Sequence, residues 1–174
     1  MIDKAEIISQ PLSGQFTERI YDNQSAWNSQ SWTWVKFTNI DLTEWCGQFR
    51  GFPRQVAVSK IYNSILVLTS DYLFHLDSFT ANIVEFEDQP QFHNLTGTPN
   101  GDFIIADYYN IEKITSTIKS KIQIDSPINM DSITFKNWTN NQLEFTCDEF
   151  LNWDRHLIME LDCETDEIKI KSEN

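Results

Sequence analysis

Short apolar runs separated by polar breaks recur along this chain at a fixed spacing. The stretch 65–86 reads ILVLTSDYLFHLDSFTANIVEF, in which SD and DSFTAN divide three apolar runs. Moved 38 residues along the chain without a gap, it falls on 103–124, FIIADYYNIEKITSTIKSKIQI, and the apolar positions coincide. Short apolar runs bounded by turn residues predict β-strands, and the constant offset predicts a repeated structural unit.

A third copy follows, and a shared turn sequence marks it. LDSFTANI begins at Leu76 and LDCETDEI begins at Leu161, in the common frame L-D-x-x-T-x-x-I. An aspartate in this position accepts a hydrogen bond from the backbone two residues on and so favours a tight turn. The alternative is that any two hairpins resemble each other to this degree.

From Gly51 onward the apolar runs come in three sets of four, at about 53–88, 91–126 and 130–171. Short connections such as PNGD and NN separate them, and these residues supply the positive φ that tight hairpins need. The pattern predicts a mainly β fold, built from antiparallel four-stranded meander units repeated at about 38–40 residues. The length suits a single domain, 1–174.

The first fifty residues predict a segment that is largely irregular, with one strand and one short helix. The segment WTWVKF beginning at Trp32 alternates and predicts a strand with two tryptophans on one face. Asp41 followed three residues later by Glu44 is a capping-box pattern. It predicts a short helix near 41–47, which a glycine then ends.

The repeated units resemble the blades of bacterial β-propellers, and VAVSKIYNSILVLTSDYLFHLDSFTANIVEF is the clearest copy. The resemblance covers roughly residues 53–171 and implies a partial or small propeller-like fold. A closed propeller has at least four blades. Either residues 1–50 build a partial fourth unit, therefore, or the sheets form an open, curved meander.

The formal net charge of −13 is the most informative feature of the composition. Such a charge repels nucleic acid and anionic lipid surfaces and attracts basic proteins, although solubility alone is an alternative reason for it. No apolar run approaches the length that spans a membrane, so we expect no transmembrane helix, and we interpret the N-terminal residues as lacking a secretory signal. We therefore expect a cytoplasmic protein whose cysteines, Cys46, Cys147 and Cys163, are reduced and mostly buried.

The sequence offers little catalytic chemistry. His75, His93 and His156 are isolated, and the common motifs for zinc proteases, serine hydrolases, nucleoside triphosphatases and dinucleotide enzymes are missing. His75 is expected to be a partly exposed strand residue. His156 lies beside Asp154, with which it could form a pair that orients a base. We predict no enzyme, no cofactor and no metal.

Two segments are candidates for partner binding. Between QLEFTC and HLIMEL lies DEFLNWDR, an apparent insertion of about eight residues. Insertions in a repeat usually become loops on the binding face, so Trp153 is predicted as an anchor and Asp148, Glu149 and Asp154 as its charged rim. The alternative is that the apolar residues of this segment plug the end of the sheets. A second candidate patch consists of Glu44 and Trp45.

In size, charge and aromatic content the chain resembles bacterial toxin-immunity proteins as a class. The resemblance implies a cytoplasmic module that binds and neutralises a basic toxin domain, often a nuclease, as a monomer or in a 1:1 heterodimer. No nucleic-acid or membrane partner is expected. The alternatives are a hydrolase with a dispersed site on a propeller-like sheet and a homo-oligomeric scaffold subunit whose sheet edges are covered by a second copy.

Overall fold

The computed structural model describes residues 1–23 and 25–173, and among these it describes every side chain except that of Trp153. The described residues form strands, turns and loops, without a helix, and therefore without a helix that could cross a membrane. The mainly β prediction is confirmed. The strands are β1 (Ile2–Ile8), β2 (Thr17–Tyr21), β3 (Trp32–Asn39), β4 (Glu44–Arg50), β5 (Pro53–Ser59), β6 (Ser64–Thr69), β7 (Tyr72–Asp77), β8 (Ile83–Asp88), β9 (Asn94–Gly97), β10 (Phe103–Ala106), β11 (Ile111–Ile114), β12 (Lys121–Ile124), β13 (Met130–Thr139), β14 (Gln142–Glu149), β15 (Asn152–Asp162) and β16 (Glu167–Glu173).

The strands form four sheets of four strands each, and the chain divides into two compact units. Unit 1, Met1–Pro90, holds a sheet with the order β1-β3-β4-β2 and the meander β5-β6-β7-β8. Unit 2, from Gln91 onward, holds the meanders β9-β10-β11-β12 and β13-β14-β15-β16. The three meanders are antiparallel throughout, whereas β2 runs parallel to β4 in the first sheet.

The 38-residue offset is visible in the pairing of the strands. In the second sheet of unit 1, Val67 pairs with Phe74. Thirty-eight residues further along, Ile105 pairs with Glu112 in the first sheet of unit 2. The same register therefore holds the central hairpin of both meanders, which is what a repeated unit requires.

The shared turn sequence also folds in the same way in both places. The Oδ1 atom of Asp77 accepts hydrogen bonds from the backbone N–H groups two and three residues on, at 3.1 and 2.7 Å. Asp162 makes the equivalent bonds at 2.8 and 3.3 Å. Both turns end on a residue in the left-handed conformation, Ala81 at φ 57° and Asp166 at φ 58°. The aspartate of the L-D-x-x-T-x-x-I frame thus fixes a hairpin by local hydrogen bonds.

The prediction of a short helix near 41–47 is wrong, because this segment is a tight turn followed by strand β4. The carboxylate of Asp41 accepts the N–H of Thr43, only two residues on, at 3.1 Å. Leu42 takes φ +67°, which a right-handed helix does not allow. Gly47 lies inside β4, where a Cβ atom would approach the ring of Phe49 to 2.6 Å. This glycine makes room for aromatic rings and does not end a helix.

Residues 1–50 are more regular than the sequence suggested. β1 and β2 occupy part of the segment predicted to be irregular, and together with β3 and β4 they complete a fourth four-stranded sheet. The alternating strand around Trp32 is present as β3. Its residues Thr33, Val35 and Phe37 are buried, which leaves the two tryptophans on the opposite, half-buried face.

Each unit has its own apolar core. In unit 1 the rings of Tyr21 and Phe49 stack with centroids 4.4 Å apart, and Phe74 lies 5.3 Å from Phe49. In unit 2 the core gathers around Phe145 and Met159, both fully buried. Large side chains that leave water completely contribute about 1.5–3 kcal/mol each to stability.

The three cysteines are free and buried, as predicted. Burial raises the pKa of Cys46 and that of Cys147 to about 11. In the unfolded chain these thiols ionise near pH 9, so between pH 9 and 11 the unfolded state loses protons that the folded state keeps. Stability from this source is therefore complete below pH 9 and is lost as the pH rises.

We expect the free energy of unfolding, measured by urea titration, to fall between pH 9 and 11, by roughly 2 kcal/mol per thiol at the upper limit. The control is the double variant Cys46→Ala, Cys147→Ala. Its stability should fall less steeply with pH because the two thiols are gone, and the slope that remains comes from tyrosine and lysine titration. Equal slopes for the two proteins would contradict the assignment. At pH 8 a thiol reagent should modify the buried cysteines of the native protein slowly. In urea the same reagent should modify all three cysteines rapidly.

Candidate functional site

The apparent insertion 148–155 is not a loop but the end of a long hairpin, so the prediction of a binding loop is corrected. Strand β14 continues to Glu149 and β15 begins at Asn152, which leaves a two-residue turn of Phe150 and Leu151. The pairing then jumps from Glu149–Asn152 to Asp148–His156. Residues 153–155 therefore form a bulge in β15, and bulges redirect the side chains around them.

The acidic residues predicted for this segment lie on the hairpin in different surroundings. The Oδ1 atom of Asp148 lies 2.6 Å from Nδ1 of His156, its partner across β14 and β15. The predicted pair of His156 with Asp154 does not form, and Asp154 is exposed on the bulge. The side chain of Trp153, the predicted anchor, lies outside the described residues.

Glu149 is held by its own neighbours. Its carboxylate accepts hydrogen bonds from Asn152, at 2.8 Å, and from Arg155, at 3.1 Å. These two contacts, that with Asn152 first, hold the pKa of Glu149 below its ordinary value. Arg155 also pairs with Glu173, and hydrogen bonds to Glu173 and then to Glu149 raise the pKa of the guanidinium. Glu149 is thus an ion-paired residue that stabilises the bulge and contributes little free charge.

Two aspartates lie at facing positions on the neighbouring strands β13 and β14. Asp131 of β13 is directly opposite Asp148 of β14. Two carboxylates in this relation repel each other and destabilise a sheet. His156 on the other side of Asp148 offsets this only when it is protonated. This end of the sheet therefore carries two acidic residues at facing positions.

Aromatic side chains that the sequence analysis missed surround the turn. Tyr108, Tyr109 and Phe150 are between 43% and 50% exposed. The rings of Tyr109 and Phe150 meet nearly edge to face, with centroids 5.9 Å apart. Phe150 and Leu151 do not plug the end of the sheets, since both are exposed. The signal in the sequence was the pair of tyrosines in the short connection between β10 and β11.

Leu151 is the least expected residue of the turn. Its side chain is 78% exposed, and its backbone takes φ +63°. An L-residue other than asparagine, aspartate or glycine pays roughly 1–2 kcal/mol for this conformation, and an exposed leucine gains nothing from burial. Leu42 of unit 1 has the same combination, 81% exposure at φ +67°. Residues that break local rules without a structural gain point to a functional surface.

Two neighbouring cavities open beside the aromatic residues. The larger, about 470 Å³, is lined by Tyr109, Asn110, Asn129, Met130 and Phe150. The smaller, about 170 Å³, shares the first four of these residues and is polar at its other end. Its further lining residues are Gln123, Ile124, Asp125, Ser126 and Ile128. His156 lines neither of the two.

The second predicted patch, Glu44 and Trp45, lies on β4 in unit 1. The ring of Trp45 stacks on Phe37 with centroids 4.4 Å apart, and the guanidinium of Arg19 lies 5.1 Å from its centre. Glu44 pairs with Lys36 at 3.3 Å. Both residues line a cavity of about 360 Å³. Trp45 is half-buried, so its packing on the core explains it without a partner.

The described residues give little support to catalysis. No group of three or more His, Cys, Asp or Glu side chains within them could hold a metal ion. His75 lies 3.1 Å from Glu85 and 2.9 Å from the hydroxyl of Ser64, an order that resembles a catalytic triad. However, His75 and Ser64 are both buried, contrary to the expected partial exposure of His75. A substrate would not reach this serine, and its hydroxyl donates to the backbone carbonyl of Tyr62, at 3.1 Å.

A scan against protein-family models finds no match, and neither does a search of curated proteins. Solved structures do match. Dihydro-heme d1 dehydrogenase NirN in complex with DHE matches with a TM-score of 0.52 and 15% identity, over 82% of this chain and 33% of that chain. The N-terminal domain of Nup159 gives 0.49 and 9%, over 71% and 35%. Luciferin-regenerating enzyme gives 0.43 and 15%, over 67% and 44%.

The chain thus spans about a third to less than half of the length of these solved chains. At such identities the likeness shows the fold alone. The four four-stranded sheets fit repeated blades, and the fold is of the β-propeller-like class. Two of these three proteins are named as enzymes and one is not, so the likeness does not decide between catalysis and binding for this chain.

Proposed function

We propose that this chain is an acidic protein-binding module of the cytoplasm whose partner is a basic protein. The proposed contact is the tip surface, by which we mean Tyr108, Tyr109, Asp148, Phe150 and Leu151. The proposal is for binding and not for catalysis, with no cofactor and with one partner molecule for each chain.

One observation carries the proposal, namely the turn of β14 and β15. Leu151 exposes an apolar side chain from a strained backbone position, directly beside the exposed ring of Phe150. Protein interfaces rest on a few such apolar and aromatic anchors, surrounded by polar residues that exclude water. The opposed carboxylates Asp131 and Asp148 supply a negative rim, and the net charge of −13 supplies the long-range attraction.

The narrower class of toxin-immunity proteins rests only on size, charge and aromatic content. A basic toxin domain is one partner of the proposed kind, and any basic protein with an apolar pocket for the tip surface is another. Charge of this sign speeds association, and added salt slows it.

The test is to replace Leu151 with asparagine, which suits a left-handed turn and removes the apolar contact. We expect the variant to be more stable by about 0.5–1 kcal/mol and to bind its partner about tenfold more weakly or worse. The immobilised protein is exposed to an extract of its native host at low and high salt. Retained basic proteins are then purified for titration against the wild type and the variant.

The matched control is Leu42→Asn, which makes the same chemical change at an exposed leucine with positive φ in a hairpin turn of unit 1. A basic protein retained by the wild type and by Leu42→Asn, and lost by Leu151→Asn, supports the tip surface. If only the Leu42→Asn variant fails to retain the basic protein, the contact lies at the patch around Trp45, and the proposal is contradicted. Failure of the wild type to retain any basic protein at either salt level would also contradict it.

A further inference from the structure

We infer that the two cavities beside Tyr109 form one groove that receives an arginine side chain of the partner. The inference rests on the proposed function, because it names the chemistry that a basic partner would present to the tip surface. The cavities of about 470 and 170 Å³ share Tyr109, Asn110, Asn129 and Met130 along their common length. The larger cavity adds the aromatic ring of Phe150 at one side, and the smaller adds polar residues that include Gln123 and Asp125 at the other.

The mouth of the groove suits the aliphatic part of an arginine side chain. The rings of Tyr109 and Phe150 stand nearly perpendicular, at 85°, and the buried side chain of Met130 also lines this cavity. An arginine stem packs on such apolar surface. Tyr109 lines both cavities, so its ring borders the path of the guanidinium towards the polar end. The exposed faces of these rings also attract a cation through their quadrupoles.

The polar end of the groove suits a donor with several N–H groups. Asp125 is its one carboxylate, and neither cavity has a lysine or arginine in its lining. The side-chain amide of Gln123 donates to Oδ1 of Asn110, at 3.3 Å, and the side chains of Gln123 and Asn129 each carry a carbonyl oxygen that can accept. A guanidinium carries five N–H donors in a plane, whereas an ammonium carries three donors at a point. Several acceptors around one carboxylate therefore favour arginine over lysine.

The test uses N-acetyl-arginine methylamide as the probe and follows the amide signals of the ¹⁵N-labelled protein by NMR. We expect saturable shifts confined to the side-chain amides of Asn110, Gln123 and Asn129 and the backbone near Tyr109. The lysine analogue should bind several-fold more weakly. The citrulline analogue, which has the same shape without the charge, should leave these signals in place.

Two variants and two matched controls complete the experiment. Asp125→Asn and Tyr109→Ala should each weaken the arginine probe about tenfold. Asp88→Asn makes the same charge change on an exposed aspartate of unit 1, and Tyr62→Ala removes an exposed tyrosine there. Neither control should alter binding of the probe.

Shifts scattered over the surface, or equal losses with Asp125→Asn and Asp88→Asn, would show diffuse attraction to an acidic protein and overturn the groove. So would equal binding of the arginine and citrulline probes. These failures are distinct from failure of the proposed function. If binding of the partner still depends on Leu151 but the arginine probe does not bind, the tip surface is supported and only the inference about the groove is wrong.

Discussion

Replacing Phe49 with alanine is expected to lower the free energy of unfolding by about 3–5 kcal/mol. Phe49 is completely buried in the core of unit 1. Its ring stacks on Tyr21 with an interplanar angle of 2°, and it also contacts Phe37 and Phe74. Removing it takes away the burial of a large ring and leaves a cavity that three other aromatic rings border. These rings are themselves packed on neighbouring strands, so the cavity would collapse only in part.

Urea unfolding followed by tryptophan fluorescence measures this change. The control is Phe52→Ala, because Phe52 lies three residues away and is 62% exposed. Its replacement should change stability by no more than about 0.5 kcal/mol. Phe49→Leu keeps much of the volume and should fall between the two, which preserves the measurement if Phe49→Ala does not fold. Equal costs for the variants at 49 and 52 would mean that the core of unit 1 is not centred on Phe49.

The repeat was predictable because its signal is local and periodic. The alternation of apolar runs with aspartate turns decides which residues pair, and the 38-residue offset fixes the same register in two sheets. The turn at Asp77 forms through bonds to residues only two and three positions on. A pattern of this kind needs no knowledge of distant contacts.

The helix near 41–47 was predicted wrongly because a local rule competed with a long-range one. The capping-box pattern of Asp41 and Glu44 matches a helix start, but the same aspartate side chain also closes a turn with Thr43. The strand that follows pairs with β3 and β2 and buries Phe49. Packing of this ring against the core outweighs a capping pattern worth about 1 kcal/mol.

The candidate site was predictable only in part. The sequence drew attention to the segment 148–155, because it departs from the other copies. It did not show that the segment would extend a hairpin, since the two-residue turn has no glycine or asparagine to signal it. It did not predict the contact of Tyr109 with Phe150, because the two residues are 41 positions apart in the sequence and meet only in the folded chain.

A second large effect is expected at Gly51, where replacement by alanine should cost about 3–4 kcal/mol. Gly51 takes φ +108°, a conformation that L-residues rarely adopt. A Cβ atom there would lie 2.6 Å from the hydroxyl of Thr69 and 2.9 Å from the backbone nitrogen of Asp71. Thr69 is not free to move away. Its hydroxyl donates to the carbonyl of Arg50, at 2.7 Å, and accepts the N–H of Tyr72, at 3.0 Å.

Gly14→Ala separates the two parts of this cost. Gly14 also has a positive φ, +80°, but a Cβ atom there would meet no atom within 4 Å. Its replacement should therefore cost only the backbone strain, about 1–2 kcal/mol. The difference between the two variants, measured by urea unfolding under one set of conditions, is the cost of the contact with Thr69 and Asp71. Equal values would mean that the strands around Thr69 yield to the added methyl group, and that the connection from β4 to β5 is held less tightly than its hydrogen bonds indicate.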